Sequence, residues 1–360
     1  MFRRVLDFIE SGGKSEPFEK LALDVFAYQY ERVELYRRFC QGRGATPDRV
    51  ADWRSVPALP AEAFKEGGIG APEAAHVFKS SGTTAGPERR SIHRLSSLDT
   101  YRASCLRHFR EMVLADDPGN LDILVLGPTA DTHPESSLGQ MFSWCAEAFG
   151  SNDVLVAFDA EGRADVERAI EWLQAHTGSS RPVMILAITS ALSVLLRKLT
   201  REGRTLRLGP NSRVVDTGGS KGRPGVLSPA GVLKAVWRCL HVPSYMAINE
   251  YGMTELLSQF YDDVLVSRLR GRLSPRAKVG PPWTRTTVVD PATLEPVPAG
   301  QPGLLRHCDL ANWETVSFIQ TLDLGRAVGA GFHILGRARG ADQRGCSELL
   351  ATLSTESKSE

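Results

Sequence analysis

Between residues 121 and 240 the chain alternates short apolar runs with longer segments of helical spacing, and few folds accept that alternation. The apolar runs fall at 121–126, 153–158, 182–188 and 213–216; the helical segments fall at 136–149, 165–176 and 190–201, with another starting at Ser228-Pro229. Proline suits the first turn of a helix, so that last start is a strong one. Strands alternating with helices of this length predict an α/β fold, a mostly parallel sheet flanked by helices. Such sheets bind ligands outside the carboxyl ends of their strands. Polar loops at 80–87, 129–137, 216–223 and 249–255 each follow a strand in this reading, so they are candidates for one site.

The flanking regions have different textures. Residues 2–11 and 18–40 read as helical, with Phe18, Leu21, Val25, Tyr28 and Leu35 on a helical spacing. Pro47, Pro57 and Pro60 then make a loop-rich connector. Ser96 or Ser97 can cap a helix running to about residue 114. Beyond residue 260, prolines and glycines separate short runs at 286–289, 304–307 and 316–319, which predicts a smaller β-rich subdomain. Residues 354–360 have the composition of a disordered end.

Charge narrows the function classes. With 43 basic against 42 acidic residues there is no electrostatic case for nucleic acid or for an anionic membrane surface. Asp7 and Glu10 interrupt what would be the apolar stretch of a signal peptide, and no run of about eighteen apolar residues offers a membrane span. The 6 cysteines, at positions 40, 105, 145, 239, 308 and 346, show no CxxC spacing. They read as reduced thiols of a cytoplasmic protein, not as a disulfide frame or a zinc site.

Two stretches carry chemistry. Residues 79–87, Lys-Ser-Ser-Gly-Thr-Thr-Ala-Gly-Pro, gather the hydroxyls of Ser80, Ser81, Thr83 and Thr84 around Gly82 and Gly86, directly after an apolar run. Glycines let a backbone turn its N–H groups toward phosphate oxygens, and hydroxyls add donors at the rim. The same residues also suit an ordinary polar turn. The stretch is not the P-loop of NTPases, because no Gly-Lys-Ser/Thr follows at the required offset. The second stretch is Asn249-Glu250-Tyr251-Gly252-Met253-Thr254-Glu255. On its own, Tyr251 is a core candidate and Glu255 a helix-capping candidate.

Together the two stretches resemble the adenylate-forming superfamily, whose members join a carboxylate to ATP and release pyrophosphate. Three further segments match in order: Asp216-Thr217-Gly218-Gly219-Ser220, Thr321-Leu322-Asp323-Leu324-Gly325, and Gly331-Phe332-His333-Ile334-Leu335-Gly336-Arg337. The resemblance implies that Ser80, Ser81, Gly82, Thr83, Thr84 and Gly86 hold phosphates, and that Gly218 and Gly219 lie beside adenine. It implies that Tyr251, next to Gly252, stacks on the base, that Thr254 touches the α-phosphate, and that Asp323 holds the ribose hydroxyls. Arg337 closes the large domain. Glu255 would ligate Mg²⁺, a hard cation suited to carboxylate and phosphate oxygens. His133 stands where relatives have a histidine near the acyl carboxylate; a lone histidine is as readily a packing residue.

Two departures narrow the resemblance. Glu88-Arg89-Arg90 replaces the usual lysine after the phosphate loop, and only 23 residues follow Arg337, where typical members continue into a mobile domain bearing a catalytic lysine. The LuxE-type acyl-protein synthetases lack that domain and carry a Gly-Cys-Ser near the end, and here Gly345-Cys346-Ser347 occupies that place. The implied division is a helical segment at 1–60, a nucleotide- and acyl-binding α/β core at 61–260, a β-rich subdomain at 261–337, and a tail at 338–360 with an acyl-accepting cysteine. Beside Arg344, Cys346 has a setting that favours thiolate. The other five cysteines lie in apolar contexts and read as core. The implied activity consumes ATP with Mg²⁺ to activate a carboxylic acid, expected to be a fatty acid, and then acylates Cys346 for a partner such as an acyl reductase. A ligase that passes the adenylate directly to coenzyme A, a carrier protein or an amine stays open, as does a non-catalytic nucleotide or acyl sensor. Oligomerisation is left open as well.

Overall fold

The computed structural model describes residues 1–65, 69–71, 73–81, 90–218 and 224–338. The chain divides into two units: Met1–Arg107 with Met253–Gln259 and the chain from Lys278 onward, and His108–Gly252 with Phe260–Ala277.

The first unit begins with helices α1 (Phe2–Glu10), α2 (Phe18–Arg32) and α3 (Glu34–Gln41). The spacing predicts one helix over 18–40, but the chain leaves helical geometry at Val33, whose φ of −101° and ψ of 96° are extended. A β-branched side chain favours such geometry. Tyr36, Phe39 and Cys40 of α3 are buried as a result of this turn. Strand β1 (Leu59–Pro60) leads into a 3-10 turn, Ala61–Lys65. Strands β2 (His76–Lys79) and β3 (Ile92–Leu95) then pair antiparallel, Phe78 opposite His93, as a separate two-stranded sheet. The sequence missed β3: the loop after Lys79 joins two strands of a hairpin, not a strand of the parallel sheet to a helix. Helix α4 (Asp99–Val113) follows, its first N–H donating to Ser97 Oγ at 3.0 Å.

The second unit is the alternating region. Strands β4 (Leu121–Leu126), β5 (Gly150–Val156), β6 (Val183–Ile188), β7 (Arg213–Thr217) and β8 (Ala247–Tyr251) are parallel, and β9 (Phe260–Asp262) runs antiparallel to β8. Their spatial order is β9-β8-β7-β6-β4-β5. Every residue of β4 is buried, as a strand covered on both faces requires. The covering helices are α5 (Ser137–Phe149), α6 (Val166–Ala175), α7 (Thr189–Arg201), α8 (Pro229–Leu240) and the short α9 (Val264–Leu269). Their starts follow capping chemistry. Ser136, Asp165 and Ser228 each accept a backbone N–H with the side chain, and Pro229 takes the first helical position. Boundaries differ from the sequence reading chiefly at β5, which starts at Gly150 because Leu121 pairs with it, and at β8. There Asn249, Glu250 and Tyr251, read as loop, form the last turns of a strand.

The chain then returns to the first unit through β10 (Lys278–Val279), β11 (Thr284–Val289), β12 (Pro302–Asp309), β13 (Phe318–Val328) and β14 (Gly331–Arg337). The last four form an antiparallel meander, with β10 on β14 and β1 parallel to β13. Trp283 is fully buried under it, its indole N–H within 3.0 Å of the hydroxyls of Ser104 and Ser258. No helix among the described residues is long and apolar enough to cross a membrane. The five cysteines expected in the core are buried: Cys40, Cys105, Cys145, Cys239 and Cys308. Burial pushes the Cys40 thiol up to about 12, so it is inert as a nucleophile.

Candidate active site

In the first unit the site is built around Glu255. Its carboxylate is buried, and Oε1 accepts a hydrogen bond of 2.6 Å from Ser91 Oγ. Burial raises the pKa of this carboxyl; the Ser91 bond works against the rise, and the like charge of Glu62 adds to it. Ser91 also closes the base of the Ser/Thr/Gly loop: its N–H donates to Ser80 Oγ at 2.9 Å, and its carbonyl accepts from the Ser80 N–H at 3.0 Å. The Arg90 guanidinium donates to the Ser80 carbonyl. One serine therefore ties the phosphate-loop base to the expected metal ligand, and Arg90 stands at that base as a cation. Ser81 is exposed at the loop's edge. Gly82, Thr83, Thr84, Gly86 and, elsewhere, Gly219 and Cys346 lie outside the described residues.

The loop bearing Thr254 and Glu255 is held by groups the sequence reading did not single out. His93 is fully buried on β3, and its Nδ1 lies 2.9 Å from the Thr254 carbonyl. A carbonyl only accepts, so Nδ1 carries the proton, and Nε2 accepts from Thr315 Oγ1 at 2.8 Å. Burial pushes the His93 pKa down to about 4, which keeps this ring neutral at physiological pH. Asn312 Nδ2 donates to the Glu255 carbonyl at 2.7 Å. Asp309 accepts from the Leu257 N–H at 3.0 Å and from Ser258 Oγ at 2.7 Å. Both sides of Glu255 are thereby fixed to β3 and to the end of β12.

Asp323 and Arg337 face each other in register across β13 and β14. The Asp323 N–H donates to Thr321 Oγ1 at 3.0 Å, and the Arg337 guanidinium lies 3.6 Å from Glu62 Oε1. Glu62 Oε2 is buried and has no hydrogen-bond partner among the described residues. An unpartnered buried carboxylate oxygen whose field reaches Glu255 fits a hard dication better than it fits water-free packing. Carboxylate oxygens at Glu62 and Glu255 would suit the chemistry of Mg²⁺.

In the second unit the carboxyl ends of β6, β7 and β8 meet. Thr189 Oγ1 lies 2.6 Å from Asp216 Oδ2 and 3.0 Å from the Gly218 carbonyl. Asn249 Nδ2 is 3.0 Å from both the backbone and carboxylate oxygens of Asp216. Thr217 Oγ1 donates to Glu250, which is buried. Gly218 takes a φ of +91°, a conformation that glycine adopts without cost. Gly252 has no room for a side chain, since a Cβ there would meet Glu250 Oε1 at 2.4 Å. These bonds hold Gly218 and Tyr251 at adjacent strand ends, with the half-buried Tyr251 ring 5.9 Å from that of Phe260. His133 lies in the loop beyond β4. Its Nδ1 is 2.9 Å from Thr132 Oγ1, and its ring is 5.8 Å from that of Phe158.

A parallel α/β unit with polar strand ends, and a unit with an antiparallel meander and a buried glutamate bonded to the base of a Ser/Thr/Gly loop, define an adenylate-forming ligase fold. Solved structures agree on the fold. A 2-hydroxyisobutyryl-CoA ligase, in the postadenylation state with an acyl-AMP, superimposes with a TM-score of 0.62 at 16% identity, over 89% of this chain and 67% of that one. A long-chain-fatty-acid-CoA ligase from Archaeoglobus fulgidus gives 0.52 at 17% identity, over 79% and 54%. The profile of the family described as "Acyl-protein synthetase, LuxE" matches residues 6–355, and the chain belongs to that family. That makes it an ATP-dependent, AMP-forming ligase. Among curated relatives, the long-chain-fatty-acid–luciferin-component ligase of Aliivibrio fischeri is 21% identical over 93% of this chain and 88% of its own length. The protein of the same name from Vibrio harveyi is 22% identical over 85% and 78%.

Proposed function

We propose that this ligase activates a long-chain fatty acid as its acyl-adenylate and then acylates its own Cys346. The acid class rests on the names of the two relatives, and the cysteine on Gly345-Cys346-Ser347. The observation that carries the activation step is Glu255, desolvated, held by Ser91 at the base of the Ser/Thr/Gly loop, with the Glu62 carboxylate nearby. In the first half-reaction a carboxylate oxygen of the acid attacks the α-phosphorus of ATP and pyrophosphate leaves. Mg²⁺, when bound, neutralises charge on the leaving pyrophosphate. Glu255 and Glu62 would hold it, Ser80 and Ser81 would donate at the loop base, and Arg90 adds positive charge there. Thr254 is presented toward the α-phosphate by a peptide that neutral His93 pins. Tyr251 and the Gly218 strand end offer a face and an edge to adenine, and Asp323 accepts from the ribose hydroxyls. In the second half-reaction the Cys346 thiolate attacks the acyl carbonyl, AMP leaves, and a thioester forms. An acyl reductase in the cytoplasm is the partner that the thioester chemistry suits, since hydride addition to a thioester yields an aldehyde and returns the thiolate.

The test is an alkyne-tagged fatty acid supplied with ATP and Mg²⁺, followed by denaturation, hydroxylamine treatment and peptide mapping. The expected result is hydroxylamine-labile label on Cys346, lost in Cys346→Ser while acid-dependent ATP–pyrophosphate exchange persists. Undiminished label in Cys346→Ser, or exchange with no protein-bound label, would show that the adenylate goes directly to another acceptor.

A further inference from the structure

A second cluster of ligating groups lies at the opposite ends of the strands in the second unit. His176, just past α6, places Nε2 3.2 Å from Asp153 Oδ2 on β5 and 3.5 Å from Asp122 Oδ2 on β4. All three ligand atoms lie within 4.8 Å of one another. None of these residues belongs to the adenylation site, whose residues in this unit sit at the carboxyl ends of β6 to β8.

The arrangement around the three atoms is that of a prepared ligand set. His176 Nδ1 is 2.8 Å from the Trp172 carbonyl, so Nδ1 carries a proton and Nε2 is the ring atom that faces both carboxylates. Each carboxylate already has its other oxygen engaged. Trp172 Nε1 donates to Asp153 Oδ1 at 2.8 Å, while Arg181 donates to Asp122 Oδ1 at 2.7 Å and Ser151 donates to the same oxygen. The other two carboxylate oxygens and Nε2 are left as a group of three atoms within 4.8 Å of one another. Two of their separations are compatible with a shared metal ion. A charge-assisted N–H···O bond is about 2.7–2.9 Å long. The edge of a tetrahedron with metal–ligand bonds of about 2.0–2.1 Å is about 3.3–3.4 Å, which the 3.2 and 3.5 Å contacts bracket. Asp122 is buried and paired with Arg181, and the Asp153 side faces an open cavity of about 450 Å³ lined also by Asn120, Ser151, Asn152 and Arg181. That cavity leaves room for water in a fourth coordination position.

We propose that Asp122, Asp153 and His176 form a binding site for a first-row transition dication of the Zn²⁺ type. One imidazole nitrogen and two carboxylate oxygens suit a borderline cation, whereas Mg²⁺ prefers six oxygens and keeps its waters. The bound ion ties the end of α6 to the starts of β4 and β5. The rival occupant of the same point is a proton on Nε2, an imidazolium between two carboxylates.

Untagged Cys346→Ser protein, used so that the Cys346 thiol contributes nothing, is stripped with chelator, titrated with Zn²⁺ by calorimetry, and assayed for retained metal after gel filtration. The expected result is one equivalent of Zn²⁺ retained, with a raised Tm and a change in Trp172 fluorescence that Trp172→Phe removes. Asp153→Asn, at an exposed position of β5, and His176→Gln should each lose the retained equivalent. Trp172→Phe should weaken binding by about tenfold, as removal of an outer-shell donor does. Sub-stoichiometric zinc, retention that survives both ligand substitutions, or binding of Mg²⁺ as tight as that of Zn²⁺ overturns the assignment. So does a protonated His176 Nε2 in ¹⁵N spectra at pH 8 that zinc leaves unchanged.

Discussion

Removing the Ser91 hydroxyl should shift the pH dependence of acid activation more than its maximal rate. Burial opposes ionisation of Glu255, and the 2.6 Å bond from Ser91 Oγ is the largest influence that favours the charged form, ahead of the Lys65 charge. A hydrogen bond to a charged group contributes about 1.5–3 kcal/mol. Ser91→Ala should therefore displace the Glu255 ionisation equilibrium toward the protonated form by about ten- to a hundredfold. The acid limb of kcat/KM for ATP–pyrophosphate exchange should move to higher pH, and above that limb the rate should largely recover. The substitution is conservative for the fold, because the Ser91 backbone keeps both of its bonds to Ser80. Glu255→Gln sets the floor for the comparison: with no carboxylate at any pH, exchange should fall by about 10²–10³ across the whole range. An acid limb that stays in place in Ser91→Ala would refute the reasoning, since it would mean that the ionisation observed is not that of Glu255. Wild-type exchange in folded Glu255→Gln would remove the metal-ligand role altogether.

Asp323→Ala should weaken ATP by about ten- to a hundredfold without changing the acid's affinity, measured by calorimetry; equal binding of ATP and 2′-deoxy-ATP by the wild type refutes the ribose role. Stability should also fall with acid. His93 and His307, pushed down by burial to about 4 and about 3, stay neutral in the fold while the unfolded chain takes up protons below about 6.5. Asp309, raised by burial to about 6, takes up a proton in the fold first and offsets one of the two histidines between about pH 6 and 4. For these three groups the net loss is about 1.4 kcal/mol per pH unit across that window, lessened where Glu255, also raised by burial, takes up its proton in the fold; it is read from urea unfolding by circular dichroism, and midpoints that rise from pH 6.5 to 4.5 refute it.

What the sequence made legible follows from how local each signal is. The strands β4, β6 and β7 and helices α5 to α8 carry their own periodicity, caps and apolar runs, so they could be read without knowing their neighbours. The positioning residues could not. Ser91 meets Glu255 across 164 positions, and His93 meets the Thr254 carbonyl across 161, so no window of sequence contains either pair. Ser91 at least flanks the Ser/Thr/Gly loop; His93 sits in Ile92-His93-Arg94-Leu95, too short and too polar to announce a strand.

The polar end of β8 was misread for a related reason. Asn249 and Glu250 look like loop residues because strands seldom bury such groups. In the fold each meets a polar partner on the next strand, Asn249 with Asp216 and Glu250 with Thr217. Buried polar groups are tolerated when they are paired, so a polar strand end reads as loop until its neighbour is known. The same pairing keeps Gly218 and Tyr251 at fixed strand ends instead of in a free loop. The Asp122, Asp153 and His176 cluster is the extreme case: three residues on separate elements, each unremarkable in its own segment, become a ligand set only because β4 and β5 lie side by side and α6 ends above them.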